Sequence, residues 1–412
     1  MANPLKILVS GSGIAGSVFA HWMLRANRNV QITIVEHSPS LRLTGASVDI
    51  RSSAIDIIKA MAAEAEIRKN STNEEGMQMV GANGRPIATF RATGRSDVQS
   101  MTSEYEIFRG ALAGIFMEPI KDRIKLIFNE SVEHYEELED GVQVTFSSKH
   151  TEQYDLLVAA DGYGSRIRGQ LLNDSPRHQI HDEGVHVAYF TIDKDLLQGS
   201  RLAKGYSDTG GRAVWLRPDP AGRTRAMLLN VTWSSNTEMK AKLNKALEDG
   251  SYQELMIEMF RDVGWITPQV LAGMRESTDF YCSLFAQVRS PKLCSNRVVL
   301  LGDAGYATPG FGTSLAIIGG YVLAGEVMSG DLSSALKRYE DLLLPFVKSQ
   351  QGDDIAMQLV NPQTRWGINL RNVIMWLVTT LRLDQLAIRA SAWIGFTEKK
   401  LKMPNYPWPA TT

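Results

Sequence analysis

Cysteine is almost absent from this chain of 412 residues, which contains only Cys282 and Cys294. Two thiols are too few for a disulfide framework, and no group of cysteine and histidine residues has the spacing of a zinc site. We therefore expect two reduced thiols and no bound metal.

Long apolar runs and an excess of either charge are also missing. The longest late apolar stretch, Val373 to Leu381, is interrupted by threonines and is much shorter than the ~20 residues of a membrane span. The start of the chain lacks the apolar core and cleavage site of a signal peptide. Because 44 Lys and Arg residues balance 45 Asp and Glu residues, nothing favours nucleic acid as a partner. We predict a soluble cytoplasmic protein, either a monomer or a homodimer.

The chain begins with the pattern of a doubly wound sheet. Leu5 to Ser10 predicts a buried strand, Gly11 to Gly16 a glycine turn that leads into a helix, and Val30 to Glu36 a second strand. Glu36 ends that strand at the distance where a carboxylate accepts hydrogen bonds from the hydroxyls of an adenosine ribose. This arrangement indicates dinucleotide binding rather than a structural glycine turn.

Each glycine of the turn has a steric task. Gly11, Gly13 and Gly16 match the spacing G-x-G-x-x-G, which supplies a tight turn, close approach of backbone to pyrophosphate, and close packing of helix on strand. The helix then begins at Ile14 and Ala15, whose free N–H groups and positive dipole end would face the phosphates.

Three further segments favour a flavin over a nicotinamide dinucleotide as the resident cofactor. Asp161 lies in YDLLVAADGYGSR, Asp303 in VVLLGDAGYATPGFGTS, and Arg109 in YEIFRGALAGIF. Each segment alone can be a turn, a strand end or a helix cap. Their combination with the glycine turn, in this order, favours a flavin protein.

In this combination the sequence resembles the FAD-dependent aromatic-hydroxylase type of monooxygenase, with the p-hydroxybenzoate hydroxylase fold. Within that family it is most similar to the tetracycline-inactivating monooxygenases and related natural-product hydroxylases, over most of residues 5–345. The resemblance implies an α/β fold: a Rossmann-like FAD-binding domain, an inserted antiparallel β-sheet substrate domain and a C-terminal helical segment. It also implies that NADPH reduces a non-covalent FAD. Oxygen then reaches an aromatic or polyketide-like small molecule through a flavin hydroperoxide.

The resemblance assigns several flavin contacts. Asp303 matches the residue that binds the ribityl chain, and Arg109 matches a flavin-contacting arginine. The helix that starts after Gly310, near Gly312, would point its N-terminus at the pyrimidine edge of the flavin and stabilise the reduced ring.

Other residues are linked by the resemblance to NADPH as well as FAD. In the segment RLTGASVD, Asp49 matches a residue that contacts FAD, and Arg42 one that is implicated with NADPH; a solvated loop charge is the alternative for Arg42. Asp161 belongs to a segment linked to both the FAD pyrophosphate and NADPH. The chain departs from the family at Gly305-Tyr306, where many members have histidine, and its loop before Gly312 is shorter.

The predicted elements divide the chain into three parts. The FAD-binding domain would comprise residues 1–75, 101–175 and 285–345, the substrate domain residues 76–100 and 176–284, and the C-terminal helical segment residues 346–412. The patterns further predict helices over Ser53 to Ala65, Glu106 to Phe116 and Asn236 to Arg261, strands over Tyr154 to Ala160 and Asp279 to Val288, and an antiparallel sheet over His186 to Trp233. The strand at Asp279 is expected to return to the first domain.

The substrate face is expected on the inserted sheet. Candidate lining residues are Tyr189, Arg201, Trp215 and Leu228, and His186 is a candidate base. Aromatic residues on strands are more often core, and a histidine there is more often structural. Arg201 loosely matches a substrate-contacting arginine of the tetracycline-inactivating enzymes.

A C-terminal helix would carry one apolar stripe, formed by Trp366, Leu370, Ile374, Leu377 and Leu381. We predict that this stripe packs across both domains, with a lid or a dimer contact as alternatives. Two other functions stay open: a flavin-dependent halogenase, although the W-x-W-x-I-P segment of halogenases is missing, and a non-catalytic flavin-binding interaction module.

Overall fold

The computed structural model describes residues 3–26, 29–42, 45–72, 74–91, 105–233, 235–352, 355–383 and 400–409. The strands in these residues are β1 Leu5–Ser10, β2 Val30–Glu36, β3 Ser47–Asp49, β4 Gly76–Val80, β5 Pro86–Arg91, β6 Glu106–Phe108, β7 Lys125–Phe128, β8 Val132–Glu137, β9 Val142–Phe146, β10 Thr151–Tyr154, β11 Leu156–Ala159, β12 Ile180–Ile192, β13 Leu202–Asp208, β14 Arg212–Pro218, β15 Thr224–Val231, β16 Tyr281–Val288 and β17 Val298–Leu300. The helices are α1 Ile14–Arg25, α2 Ala54–Ala60, α3 Glu64–Lys69, α4 Arg109–Met117, α5 Arg166–Leu172, α6 Thr237–Asp249, α7 Tyr252–Phe260, α8 Thr267–Glu276, α9 Asp303–Tyr306, α10 Gly312–Met328, α11 Leu332–Gln350, α12 Ile355–Val360 and α13 Arg365–Thr380.

Two large sheets organise the molecule. A five-stranded parallel sheet has the order β17-β11-β1-β2-β7, and a seven-stranded sheet has the order β16-β12-β15-β14-β13-β4-β5. The second sheet is antiparallel except where β13 runs parallel to β4. Strands β8 to β10 form a small antiparallel sheet, and β3 pairs with β6. This arrangement confirms the predicted α/β fold, with a Rossmann-like sheet and a largely antiparallel inserted sheet.

The main core lies around the parallel sheet. Helices α1 and α10 pack on each other beside it, and α10 is buried without interruption from Ser314 to Val327. A second core fills the space between the seven-stranded sheet and helices α6 to α8. In the part of the chain that the structure describes, no helix combines the length and the apolarity that a bilayer crossing requires.

Several local predictions are corrected by the structure. The helix predicted from Ser53 is broken into α2 and α3, because Ala62 adopts a left-handed φ of 57° between them. The strand predicted from Tyr154 is two strands, since Tyr154 ends the antiparallel β10 and the parallel β11 starts at Leu156. The helix predicted from Asn236 is α6 and α7, separated at Gly250, where φ is 81°.

Two further corrections concern partners of predicted elements. Residues Glu106 to Phe108 form a strand before the helix α4, because their backbone pairs with β3. The strand predicted over Asp279 to Val288 is present as β16, but it pairs with β12 of the seven-stranded sheet and not with the parallel sheet. The division into three domains stays a proposal.

The C-terminal stripe is exposed and not buried. Helix α13 packs against β5 and β13 of the seven-stranded sheet, and its buried side chains are Ile368 and Arg371. The five predicted stripe residues all lie on the solvent side, with Trp366 at 74% exposure. The prediction that the stripe packs across both domains is therefore wrong, and the part of the predicted helical segment over 384–399 lies outside the described residues.

Candidate functional site

Four of the predicted site residues lie at one edge of the parallel sheet. Gly11 follows β1, Glu36 ends β2, Asp161 lies just beyond β11, and Asp303 comes shortly after β17. Because β17, β11, β1 and β2 are consecutive neighbours, their carboxyl ends form a continuous edge. Ligands of open α/β sheets bind at such an edge.

The glycine turn is shaped by close backbone contacts. Gly11 has a φ of 109°, and a Cβ there would lie 2.3 Å from the carbonyl oxygen of Ala160. A Cβ on Gly16 would lie 2.4 Å from the Gly11 carbonyl oxygen, so α1 begins tightly against the turn. A Cβ on Gly13 would meet nothing within 4 Å. The backbone at Gly13 and the N-terminus of α1 at Ile14 are therefore open to an incoming phosphate.

Glu36 is a buried carboxylate with several donors. Its oxygens accept hydrogen bonds from Ser12 N at 3.1 Å, Ser12 Oγ at 2.8 Å and Ser38 N at 2.9 Å, and His37 Nδ1 lies 2.9 Å away. Burial acts to raise the pKa of Glu36, but the donors from Ser38 and Ser12 outweigh it and lower the pKa. Arg42 bonds Ser38 Oγ and the His37 ring, which places Arg42 at the Glu36 end of the edge.

Asp303 and Arg109 meet at the opposite end. Arg109 Nη2 lies 3.8 Å from Asp303 Oδ2, although the two residues are far apart in the sequence. A Cβ on Gly312 would meet only Asp303 Oδ1, at 3.3 Å, and a Cβ on Gly310 would meet nothing within 4 Å. The start of α10 is thus open beside the Asp303 carboxylate.

Asp161 and Asp49 each have a buried oxygen without a hydrogen-bond partner among the described residues. Burial raises the pKa of Asp161 to about 6. Asp49 bonds the Arg51 guanidinium at 2.5 Å, and the Arg51 backbone N–H donates to Ser314 Oγ in the first turn of α10. Both aspartates therefore keep acceptor capacity at the edge where a ligand would lie.

These features fit a bound FAD. The open backbone at Gly13 and Gly310 gives the pyrophosphate and the flavin room, and Glu36 stands where a ribose would be recognised. Asp303, Arg109 and Asp161 would supply polar contacts along the rest of the cofactor. The roles of the individual residues stay predictions.

A small pocket lies between this edge and the seven-stranded sheet. The residues that line it come from the start of β3 and the loop before it, from the end of β6, from strands of the large sheet and from the segment just before β16: Gly45, Ala46, Ser47, Phe108, Tyr189, Phe190, Arg217, Arg225, Ala226, Met227, Asp279 and Tyr281. The rings of Tyr189 and Tyr281 are stacked with centroids 4.9 Å apart. The Ala46 N–H donates to the Tyr281 hydroxyl at 2.5 Å, which fixes the loop to the sheet.

A buried group of charges adjoins the pocket. Arg217 forms two hydrogen bonds with Glu74, at 2.7 and 2.8 Å, and also bonds Glu106 and the Ser47 hydroxyl. The side chains of Glu74 and Glu106 are 1% and 7% exposed. We call Arg217, Glu74, Glu106 and Ser47 the Arg217 cluster. It joins the large sheet to the β3–β6 ladder, which leads directly into Arg109.

The substrate-face candidates separate in the structure. Tyr189 and Trp215 lie on the face of the sheet that carries the small apolar cluster around Val187. His186 and Leu228 face the helices instead, since His186 Nε2 lies 3.0 Å from Asn244 of α6 and Leu228 belongs to the second core.

Trp215 and Arg201 differ in how they are held. The Trp215 ring lies over Gly205, where a Cβ would approach it to 2.6 Å. Arg201 is 60% exposed, and its guanidinium lies 3.8 Å from Glu75. The structure therefore brings Tyr189 to the pocket, while Arg201 stays at the surface.

Sequence reasoning missed Ser47, Arg217, Glu106 and Tyr281. One signal was present for Arg217: it lies two residues after Trp215 on a strand, and a period of two puts both side chains on one face. No comparable signal linked Arg217 with Glu74 or Glu106, because these residues belong to different strands and loops.

Comparison with known proteins gives relatives along the whole chain. It is 30% identical to the FAD-dependent monooxygenase asL4 of Sarocladium schorii over 433 aligned residues that span 98% of each protein. It is 31% identical to Monooxygenase CTB7 of Cercospora beticola, over 97% of each. No family model matches the chain.

Solved structures share the fold. The crystal structure of the tetracycline destructase Tet(51) is similar with a TM-score of 0.75 and 27% identity, covering 98% of this chain and 100% of that one. Klebsiella pneumoniae HpxO, solved with FAD and uric acid, has a TM-score of 0.67 at 19% identity, covering 93% and 96% of the two chains.

Proposed function

Because the chain belongs to the family of FAD-dependent monooxygenases, we propose that it uses NADPH as reductant and oxidises an aromatic or polyketide-like small molecule. Bound FAD would supply the electrons and the activated oxygen, and the protein would hold the substrate and exclude water. The name of the tetracycline destructase, a solved relative with 27% identity, supports a ring-containing substrate.

One observation supports this proposal above the others: the aromatic pocket adjoins the edge that fits FAD. Phe108 lines the pocket, and the next residue, Arg109, lies 3.8 Å from Asp303. The loop at Ala46 and Ser47 lines the same pocket, and Asp49 follows on the same strand. A substrate in the pocket would therefore lie close to the Asp303 end of the cofactor.

The pocket residues suit a flat, electron-rich ring. The stacked Tyr189 and Tyr281 offer aromatic surface, and Arg225 lies 4.5 Å from the centroid of Phe108. Arg225 also pairs with Asp279 at 3.1 Å, so its charge is already balanced. The walls would thus orient a ring without demanding an anionic group from the substrate.

The test of the overall activity is NADPH oxidation by the FAD-loaded protein with a panel of phenols and polyketides. We expect at least one member of the panel to stimulate NADPH and oxygen consumption and to gain the mass of one oxygen atom. A purified yellow protein that consumes no NADPH above background would support the flavin-binding module instead.

Two variants test the cofactor assignments. Asp303→Ala should purify with little FAD, because a charge-assisted hydrogen bond of ~1.5–3 kcal/mol is lost. Arg42→Ala should keep its FAD but be reduced more slowly by NADPH, since a guanidinium pairs well with phosphate. Stopped-flow reduction separates the two; normal reduction of Arg42→Ala would leave Arg42 as a surface charge that bonds Ser38 and His37.

A further inference from the structure

We propose that helix α13 docks this protein on a membrane surface that contains anionic lipid. The helix would lie flat on the bilayer, with its exposed apolar side chains among the lipids and the arginines around it at the headgroups. This inference goes beyond the monooxygenase activity and does not depend on the identity of the substrate.

Exposed apolar side chains are concentrated in α12 and α13. Among the described residues, twelve large hydrophobic side chains are exposed, and nine of them lie between Leu359 and Leu383. On most proteins such side chains are scattered singly, and a contiguous patch marks a site for another protein or for a membrane. The concentration in one segment therefore indicates a binding surface.

The apolar residues of α13 share one side of the helix. A spacing of three or four residues places five of them in a single row: Trp366, Leu370, Ile374, Leu377 and Leu381. Val373 and Trp376 widen this row, and all seven side chains are exposed. We call these seven residues the α13 face. The buried side chains of the helix are Ile368 and Arg371, which the helical period places opposite the row.

The charges around the α13 face have one sign. From Ile355 to Leu383 the sequence contains three arginines and no acidic residue, although the whole chain has a net charge of only −1. Helix α13 packs on β5, and exposed arginines lie at or beside the ends of these two elements: Arg85 and Arg91 for β5, Arg365 and Arg382 for α13. Only for Arg365 do the described residues show an acidic partner, Asp208 at 3.9 Å. Long cationic side chains beside an apolar face favour anionic headgroups.

The dimensions of α13 suit the interface of a bilayer and not its interior. Its 16 residues form a helix ~24 Å long, which is shorter than the ~30 Å hydrocarbon core. The seven-stranded sheet also covers one side of the helix. Tryptophan and leucine on one side, with cationic residues at the border, are typical of helices that lie in the plane of the membrane surface.

A second copy of the chain fits the α13 face less well. A helix ~24 Å long and ~10 Å wide presents roughly 240 Å², whereas a stable interface buries about 800 Å² on each partner. A two-fold contact would place the same surface on both sides, so the arginines of one copy would approach those of the other. The area and the charges therefore both favour lipid.

The experiment is co-sedimentation of the FAD-loaded protein with lipid vesicles. One set of vesicles contains phosphatidylcholine alone, and the other contains equal parts of phosphatidylcholine and phosphatidylserine. We compare wild type with Leu370→Gln, Leu377→Gln and their combination, and FAD content and urea unfolding report the folding of each variant. Leu138→Gln is the matched control, because Leu138 is 37% exposed and Leu377 is 40% exposed, but Leu138 follows β8 in the three-stranded sheet.

We expect wild type to bind the vesicles with phosphatidylserine more tightly than those without it. The combined leucine variant should bind at least about tenfold more weakly, because two leucine side chains no longer transfer from water to lipid. Leu138→Gln should bind like wild type. Combining Arg85→Gln with Arg382→Gln should weaken binding to the phosphatidylserine vesicles by about fivefold per arginine, with little effect on phosphatidylcholine alone.

Three results would overturn the proposal: no binding of wild type to the phosphatidylserine vesicles, equal binding to both kinds of vesicle, or wild-type binding by the combined leucine variant. A wild-type dimer that the leucine variant dissociates, without any vesicle binding, would assign the α13 face to a second copy and also overturn it. Whether the proposed function fails is decided separately, by NADPH oxidation with the panel in the absence of vesicles.

Discussion

Replacing Glu36 with alanine should weaken both the turn at the start of the chain and the binding of FAD. Glu36 is 8% exposed and accepts hydrogen bonds from the Ser12 backbone, the Ser12 hydroxyl and the Ser38 backbone. Removing the carboxylate leaves these donors without their acceptor. The ribose of FAD would lose its charged partner at the same time.

The magnitude follows from these hydrogen bonds. A buried donor without a partner costs about 1–3 kcal/mol. Three donors lose their acceptor here, but water that enters the space left by the side chain can accept from them and recovers part of the loss. We expect the free energy of unfolding of the apo protein to fall by ~1–3 kcal/mol. The FAD dissociation constant should rise by roughly tenfold to a hundredfold.

The assays separate the two effects. Urea unfolding of the apo protein gives the change in stability, and quenching of FAD fluorescence gives the change in affinity. Glu36→Gln keeps an acceptor oxygen without the charge and should lie between Glu36→Ala and wild type. Glu118→Ala is the control for an exposed carboxylate, since Glu118 is 70% exposed and lies at the surface beside Lys121.

The pH dependence has a definite sign. Because the pKa of Glu36 is lowered in the folded state, its contribution to stability is present above the ordinary carboxyl pKa of about 4.3 and is lost as the pH falls through the folded value. The difference between wild type and Glu36→Ala should therefore shrink in acid. Unchanged stability and unchanged FAD affinity at neutral pH would refute the reasoning.

Three other predictions concern the turn, the pocket face and a partly buried histidine. Gly11→Ala should yield mostly apo, destabilised protein, because the φ of 109° at Gly11 and its close backbone contact exclude a Cβ. For Gly13→Ala we expect a free energy of unfolding within about 0.5 kcal/mol of wild type and weaker binding of FAD. Urea unfolding and flavin content check both variants. Gly205→Ala should displace the Trp215 ring, read as a shift in tryptophan fluorescence with FAD content unchanged. Burial, with neighbouring arginines, lowers the pKa of His21 to about 4. The free energy of unfolding should therefore fall as the pH drops from about 6.5 towards 4. In His21→Gln, urea unfolding should show a smaller fall over this pH range.

The strand, glycine turn and helix at the start of the chain could be predicted because their determinants are local. A strand, a glycine turn and a helix follow one another in the chain, and steric limits fix which residue each position accepts. Asp161 and Asp303 were predicted as cofactor contacts in the same way, from short motifs after apolar strands. The parallel sheet then brings these separate motifs to one edge, as the period and length of the strands had indicated.

The partners of strands and helix faces could not be predicted in this way. The apolar and aromatic residues of β16 predict a strand. They do not predict its partner, because any strand can form backbone hydrogen bonds with the edge of either sheet. The apolar stripe of α13 predicts a helix correctly, yet the buried side chains of this helix are Ile368 and Arg371, and the helix packs on β5 and β13. An apolar pattern identifies the face of a helix that gains most from burial. It does not identify whether another part of the protein lies beside that face.

The sequence by itself determined that this chain forms an FAD-type α/β fold, and it predicted which residues at the ends of the parallel strands would contact the cofactor. Only the tertiary structure decided what surrounds the pocket beside the seven-stranded sheet, because Ser47, Glu74, Glu106, Arg217 and Tyr281 come from five separate segments. The interactions of these residues depend on distances across the fold. Glu106, for example, shares Arg217 with a second carboxylate, Glu74. Burial and pairing of charges are properties of the assembled structure, and local patterns of residues do not contain them.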